Sequence, residues 1–171
     1  MRLYKFLNKG FLLLFASLLI VQSMQAQNSS NDKHQKESAN IGRLIQSKNF
    51  VFVAQYALPL GGRSINLTSL YDVRLSNDTI TSDLPFYGRA FVAPMNPSEG
   101  GIRFTSTQFD YTANEKKKGG WNITILPKDT KDVRQMFLSV SENGYASLQV
   151  TSNNRQSINY TGYVTAKNKA R

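Results

Sequence analysis

From residue 50 to residue 165 the sequence keeps returning to one pattern: short runs of alternating apolar and polar residues, separated by turn-forming residues. "YDVRLS" sets Tyr71, Val73 and Leu75 against Asp72, Arg74 and Ser76, and "NITILP", "MFLSVS", "YASLQVTS" and "SINYTGYV" continue the alternation. Successive side chains of a strand point to opposite faces, so each run buries one face and wets the other. "FVFVAQYA" (Phe50 to Ala57) is apolar at both parities, as expected of a strand covered on both faces. About eight such strands predict a mostly β domain, an antiparallel sandwich or barrel-like sheet.

Turn chemistry fixes the register. A two-residue turn at Asn77-Asp78 sets Leu75 opposite Ile80 and Tyr71 opposite Leu84. At "SENGY" a two-residue turn on Asn143-Gly144 would oppose Leu138 to Gln149 and Val140 to Ser147, burying polar groups. A three-residue loop, Glu142 to Gly144 with Gly144 in the left-handed region, pairs Val140 with Ala146 and Leu138 with Leu148 instead. By the same reasoning a loop of Asn153 to Arg155 pairs Val150 with Ile158 and Leu148 with Tyr160. Three consecutive antiparallel strands therefore form the C-terminal part.

Ahead of the strands, "SANIGRLIQSKN" spaces Ile41, Leu44 and Ile45 as one short amphipathic helix, with Ser38 as a candidate N-cap. Residues 27–37 read as a flexible polar leader, 38–165 as a single β-rich domain, and 166–171 as a basic tail. The first 26 residues read as a secretory signal peptide. Arg2, Lys5 and Lys9 precede the apolar run "FLLLFASLLIV", whose 11 residues are fewer than the roughly 20 a membrane-spanning helix needs. Cleavage is expected near Ala26, which makes the protein exported, periplasmic or extracellular. There is no cysteine, so the domain relies on packing alone. Removing the three leader cations from 21 leaves 18 cations against 11 acids. In an exported chain with no interleaved basic and aromatic motif, that balance excludes nucleic acid and suits contact with an anionic membrane or polysaccharide surface.

Four blocks occur in order: "LPFYGRAF", "GGIRFTSTQFDYT", "GGWNITILPKD" and "ENGYASLQVTSNNRQSINYTGYV". Together they resemble exported Bacteroidetes proteins catalogued as domain of unknown function 4251, over about Lys48 to Val164. The resemblance implies export and a mostly β domain, and supplies no catalytic or ligand residues.

The residue inventory weighs against catalysis. The sole histidine, His34, sits in the polar leader, too far from any fixed partner to serve a nucleophile. Without thiolates or a calcium-loop spacing of carboxylates, no metal site and no cofactor are expected. Asp72, Asp83 and Asp110 are the acids a glycoside hydrolase would need, but nothing in the sequence makes them converge. In "LPFYGRAF", Pro85 stays out of ladder bonding and Gly88 permits a close approach. On a structural reading Phe86 and Phe91 fill the core while Arg89 crosses a tyrosine or pairs with Asp83. On a functional reading the bend opens a groove lined by Tyr87, Arg89 and Arg103, with Trp121 or Tyr145 nearby, as aromatic faces edged by a cation hold sugars, peptides and anions. "DTI" at Asp78 to Ile80 is similar to an O-glycosylation acceptor and makes Thr79 a candidate for a glycan. The expected function is a non-catalytic envelope module binding a glycan, peptide or protein. The alternative is a lipocalin-like carrier of a small apolar ligand.

Overall fold

The computed structural model describes residues 35–92 and 100–167. The proposed signal peptide, most of the leader and the end of the basic tail lie outside the described residues. A helix, α1, spans residues 35–46. It starts three residues ahead of Ser38, so that serine lies in the first turn and does not cap it. Among the described residues no helix is long and apolar enough to cross a membrane.

Among the described residues nine strands follow: β1 (Asn49–Pro59), β2 (Ile65–Ser76), β3 (Thr79–Leu84), β4 (Ile102–Ser106), β5 (Phe109–Glu115), β6 (Trp121–Pro127), β7 (Val133–Val140), β8 (Tyr145–Ser152) and β9 (Ile158–Thr165). They form one sheet in the order β4-β3-β2-β1-β9-β8-β7-β6-β5, antiparallel throughout. With nine alternating directions, β4 and β5 at the two ends of that order run the same way. Only Thr107 and Gln108 separate them. They are in effect one bent strand that pairs with β3 by its first half and with β6 by its second. The sheet thereby curls into a nearly closed barrel, and the count of about eight strands becomes nine because of this bend.

The registers set by turn chemistry are observed: Leu75 opposite Ile80, Val140 opposite Ala146, Leu138 opposite Leu148, Val150 opposite Ile158 and Leu148 opposite Tyr160. Asn77 (φ 50°) and Gly144 (φ 82°) take the left-handed conformations these turns require. The inward positions pack into one core in which Phe50, Phe52, Leu75, Ile80, Met136, Leu148 and Tyr160 are fully buried. The helix adds Ile41 and Ile45 to this core at one end of the barrel. There the Tyr111 hydroxyl donates to the Ile45 carbonyl at 2.9 Å.

β1 is covered on both faces, as its double-parity pattern requires: Val51 and Val53, on the side away from the core, are buried beside Tyr163. Both ladders of β1 shift register between Ala54 and Tyr56, so Gln55 bulges and the strand bends with the barrel. At the bend β9 presents Gly162, where a Cβ would collide with the Val53 carbonyl oxygen. Gly162→Ala is expected to cost at least the ~1–3 kcal/mol typical of overpacking. Unchanged urea unfolding of that variant would mean the two backbones do not approach as described.

Burial raises the pKa of the Tyr111 phenol well above its usual 10.0, and does the same for Tyr160, where Tyr87 adds to the effect and Arg155 opposes it. The fold keeps both phenols protonated while the unfolded chain ionises them from about pH 10. The stability they contribute is therefore complete below that pH and is lost as pH rises toward the folded-state values. Urea midpoints should fall progressively above pH 10 for the natural protein and fall less for the Tyr111→Phe/Tyr160→Phe variant.

Candidate functional site

At the end of the barrel opposite the helix, the segment after β3 crosses as a strap. The Tyr160 hydroxyl donates to the Pro85 carbonyl at 2.6 Å, and Phe86 packs against the core with Gly88 close beside its ring. Ala90 then forms a single antiparallel bridge with Arg155. The Phe91 N–H donates to Asn154 O at 2.7 Å and the Gln156 N–H to Arg89 O at 3.0 Å. "LPFYGRAF" is thus a corner tied to the β8–β9 loop. Two expectations for it are corrected. Phe91 is 62% exposed, because the bridge turns it outward, and does not fill the core. Asp83 pairs with Arg103, its cross-strand neighbour on β4, and not with Arg89.

Arg155 holds this corner together. Its Nε lies 2.8 Å from Asp132 Oδ2, its Nη1 donates to Gly101 O at 3.0 Å and Gly100 O at 3.3 Å, and its guanidinium lies over the Phe86 ring at 5.3 Å. The Arg155 side chain is only 13% exposed, so these contacts are little screened by water.

Beside it the barrel seam opens as a groove of about 420 Å3. One wall is Gly101 to Thr105, that is, β4 and the residue before it; the other is Asp129 to Val133, the β6–β7 connection and the start of β7, with Arg155 at one end. Among the described residues β4 pairs with β3 on one side only, and its other edge faces the groove. Backbone direction alternates along a strand. Gly101 O turns toward Arg155, and Thr107 N–H turns away from β3 to donate to Asp129 Oδ2 at 3.0 Å. The same parity aims the N–H and C=O of Arg103 and Thr105 into the groove. Among the described residues no backbone hydrogen bond outside the ladders reaches either residue. Asp129 is held below the usual carboxylate range, chiefly by the Ser106 hydroxyl and then by the Thr107 and Gln108 N–H groups. The Ser106 hydroxyl is shared with Gln108 O at 3.2 Å.

The candidate residues do not converge. Arg103 alone lines the groove; Tyr87 and Arg89 sit on the strap, both exposed. Trp121 is 8% exposed beneath the helix, where a Cβ on Gly42 would lie 3.0 Å from its ring. Tyr145 is 65% exposed at the start of β8, also at the helix end. Those two therefore lie at the opposite end of the barrel from the strap. Thr79 opens β3 directly after the exposed Asn77-Asp78 turn. Of the three acids, Asp72 and Asp83 do meet, as directly opposed residues of β2 and β3, each bound by its own arginine at 2.7 Å. Asp110 is apart, paired with Lys128. Among the described residues no cluster of three or more acids, histidines or cysteines has a metal-holding arrangement.

Sequence reasoning missed Arg155 and the loop "KDTKD". The only signal was two aspartates three apart ahead of a strand, and such a pair says nothing about which distant strand it will meet.

These roles differ in what substitution should cost. Arg155→Ala removes the cation from the Asp132 carboxylate, which among the described residues keeps only the Asn154 N–H at 3.3 Å, and the donor from the Gly101 carbonyl, and is expected to lose about 1.5–3 kcal/mol, as for hydrogen bonds to charged groups. Arg103→Ala removes an ion pair whose side chains are 55% and 53% exposed, and should cost about 1 kcal/mol or less. Thermal or urea unfolding of the two variants measures the difference; equal losses would contradict the assignment.

A family model described as domain of unknown function (DUF4251) matches residues 32–164. The fold is similar to a crystal structure of a DUF4251 family protein from Bacteroides eggerthii DSM 20697, at 17% identity and a TM-score of 0.59, covering 78% of this chain and 89% of that one. No curated protein matches the chain.

Proposed function

We propose that this chain, which belongs to the DUF4251 family, is a non-catalytic binding module of the cell envelope that holds a glycan, peptide or protein segment in the groove beside β4. The observation that carries this reading is the groove itself. Its volume of about 420 Å3 falls within the roughly 300–1,000 Å3 of ligand sites, and its walls combine apolar Ile102, Phe104 and Val133 with polar main chain and charged side chains. Of the residues that the sequence pattern singles out for binding, Arg103 alone reaches the groove, and it would meet ligand at the rim. Export rests on the N-terminal charge and apolar pattern, and the basic balance of the chain suits an anionic surface nearby.

The alternative, a carrier of an apolar ligand, is less well supported. It needs an unfilled interior, and the inward positions here are occupied by large side chains such as Phe50, Phe52, Met136 and Tyr160, all fully buried. A non-catalytic role accords with the way Asp72 and Asp83 are each engaged by arginine.

Amide-resolved NMR titration of the isotopically labelled protein with pools of oligosaccharides, of peptides and of fatty acids discriminates these readings. Shifts should concentrate at 101–105 and 129–133, with the oligosaccharide or peptide pool. Shifts centred on Phe52, Leu148 and Tyr160 with the fatty-acid pool would replace the module with the carrier.

A further inference from the structure

We infer that the occupant of the groove is a short extended peptide, bound by adding a strand to the free edge of β4. This rests on the groove being the binding site and names what it binds.

The edge of β4 is treated differently along its length. At its start the carbonyls of Gly100 and Gly101 accept hydrogen bonds from the Arg155 guanidinium. Just past its end the N–H groups of Thr107 and Gln108 donate to the Asp129 carboxylate, at 3.0 and 3.3 Å. Side chains thus take the place of a neighbouring strand at both ends. Between them, two N–H and two C=O groups, those of Arg103 and Thr105, point into the groove. An exposed strand edge is a template for another strand, and this one is open over a window that a few extended residues fill. A glycan could satisfy individual donors and acceptors, but the alternation of donor and acceptor at strand spacing matches a peptide main chain.

Charge does little to narrow the class further. Asp132 is engaged by Arg155 and Asp129 by two backbone N–H groups, so both carboxylates of the groove are occupied. Lys131 lines the groove and forms no ion pair among the described residues, Arg103 is paired with Asp83 at 2.7 Å, and Asp129 keeps its negative charge. The groove is therefore close to neutral, and the alternation of main-chain donors and acceptors, not charge, selects the occupant.

The test uses N-acetylated, C-amidated hexapeptides of varied sequence, titrated into the protein, and a parallel series of neutral and acidic oligosaccharides. In the best-binding peptide each backbone nitrogen is methylated in turn. Strand addition predicts an alternating pattern, affinity falling roughly two- to tenfold at every second position and holding between them, since each lost main-chain bond is worth about 0.5–1.5 kcal/mol. On the protein side Thr105→Pro removes a donor aimed at the groove at an edge position where proline is tolerated, and should weaken the same peptide by a similar factor. The methylation series does not depend on how the proline variant folds. Peptide binding at the groove that is indifferent to methylation overturns the inference, as does binding there of an oligosaccharide and no peptide. Shifts absent from 101–105 and 129–133 with every probe would instead overturn the groove as the site.

Discussion

Two residues, Thr107 and Gln108, separate the last pairing of β4 with β3 from the first pairing of β5 with β6, and the barrel closes through that bend rather than through a ladder between its two ends. The inward faces of all nine strands contribute to one core, and that core holds the sheet curled. Once curled, the sheet has only the bent strand to spend on its two margins. The first half of that strand can serve β3 and the second half β6, but among the described residues neither half has a second neighbour. An open edge follows from the connectivity, independent of any demand for binding. What the sequence adds is how that edge is dressed, with an arginine at one end and an aspartate at the other.

Much of this architecture was legible because a buried face leaves little freedom of register. Slipping the β7–β8 hairpin by one residue would turn Leu138 and Leu148 outward, so the turn had to be the three-residue loop in which Gly144 takes a positive φ. Parity failed where burial has other causes. Asp72 lies on the outward parity of β2, yet it is buried, its carboxylate held by Arg74. Alternation also says which face a residue takes and never which end of the barrel. Trp121 and Arg103 are both near strand starts, but β4 and β6 run in opposite directions, so the two residues lie at opposite ends. Grouping them as one aromatic and cationic site joined positions that the topology separates. Arg155 was invisible for the converse reason: its partners come from the β3–β4 and β6–β7 connections, which local pattern does not bring together.

The strap and the groove share that arginine, which ties stability to site geometry. Arg155 braces Phe86 on one side and the Gly101 carbonyl on the other, so the corner that closes the barrel end also sets where the free part of β4 begins. A groove framed by packed and hydrogen-bonded groups is rigid, and rigidity lowers the ordering cost of binding.

The polarity of the open edge also limits what can occupy it. In the free protein the main-chain groups of Arg103 and Thr105 are at a solvent-accessible seam, where water satisfies them at little cost. A ligand that covered them with apolar surface alone would strip that water without replacing it, and each stranded donor or acceptor would cost about 1–3 kcal/mol. Four such groups would outweigh the hydrophobic gain available from the small apolar part of the walls, Ile102, Phe104 and Val133. Only a ligand with its own alternating donors and acceptors recovers what the water gave. On the proposed reading, the edge that connectivity leaves open would favour hydrogen-bonding chains over greasy ones.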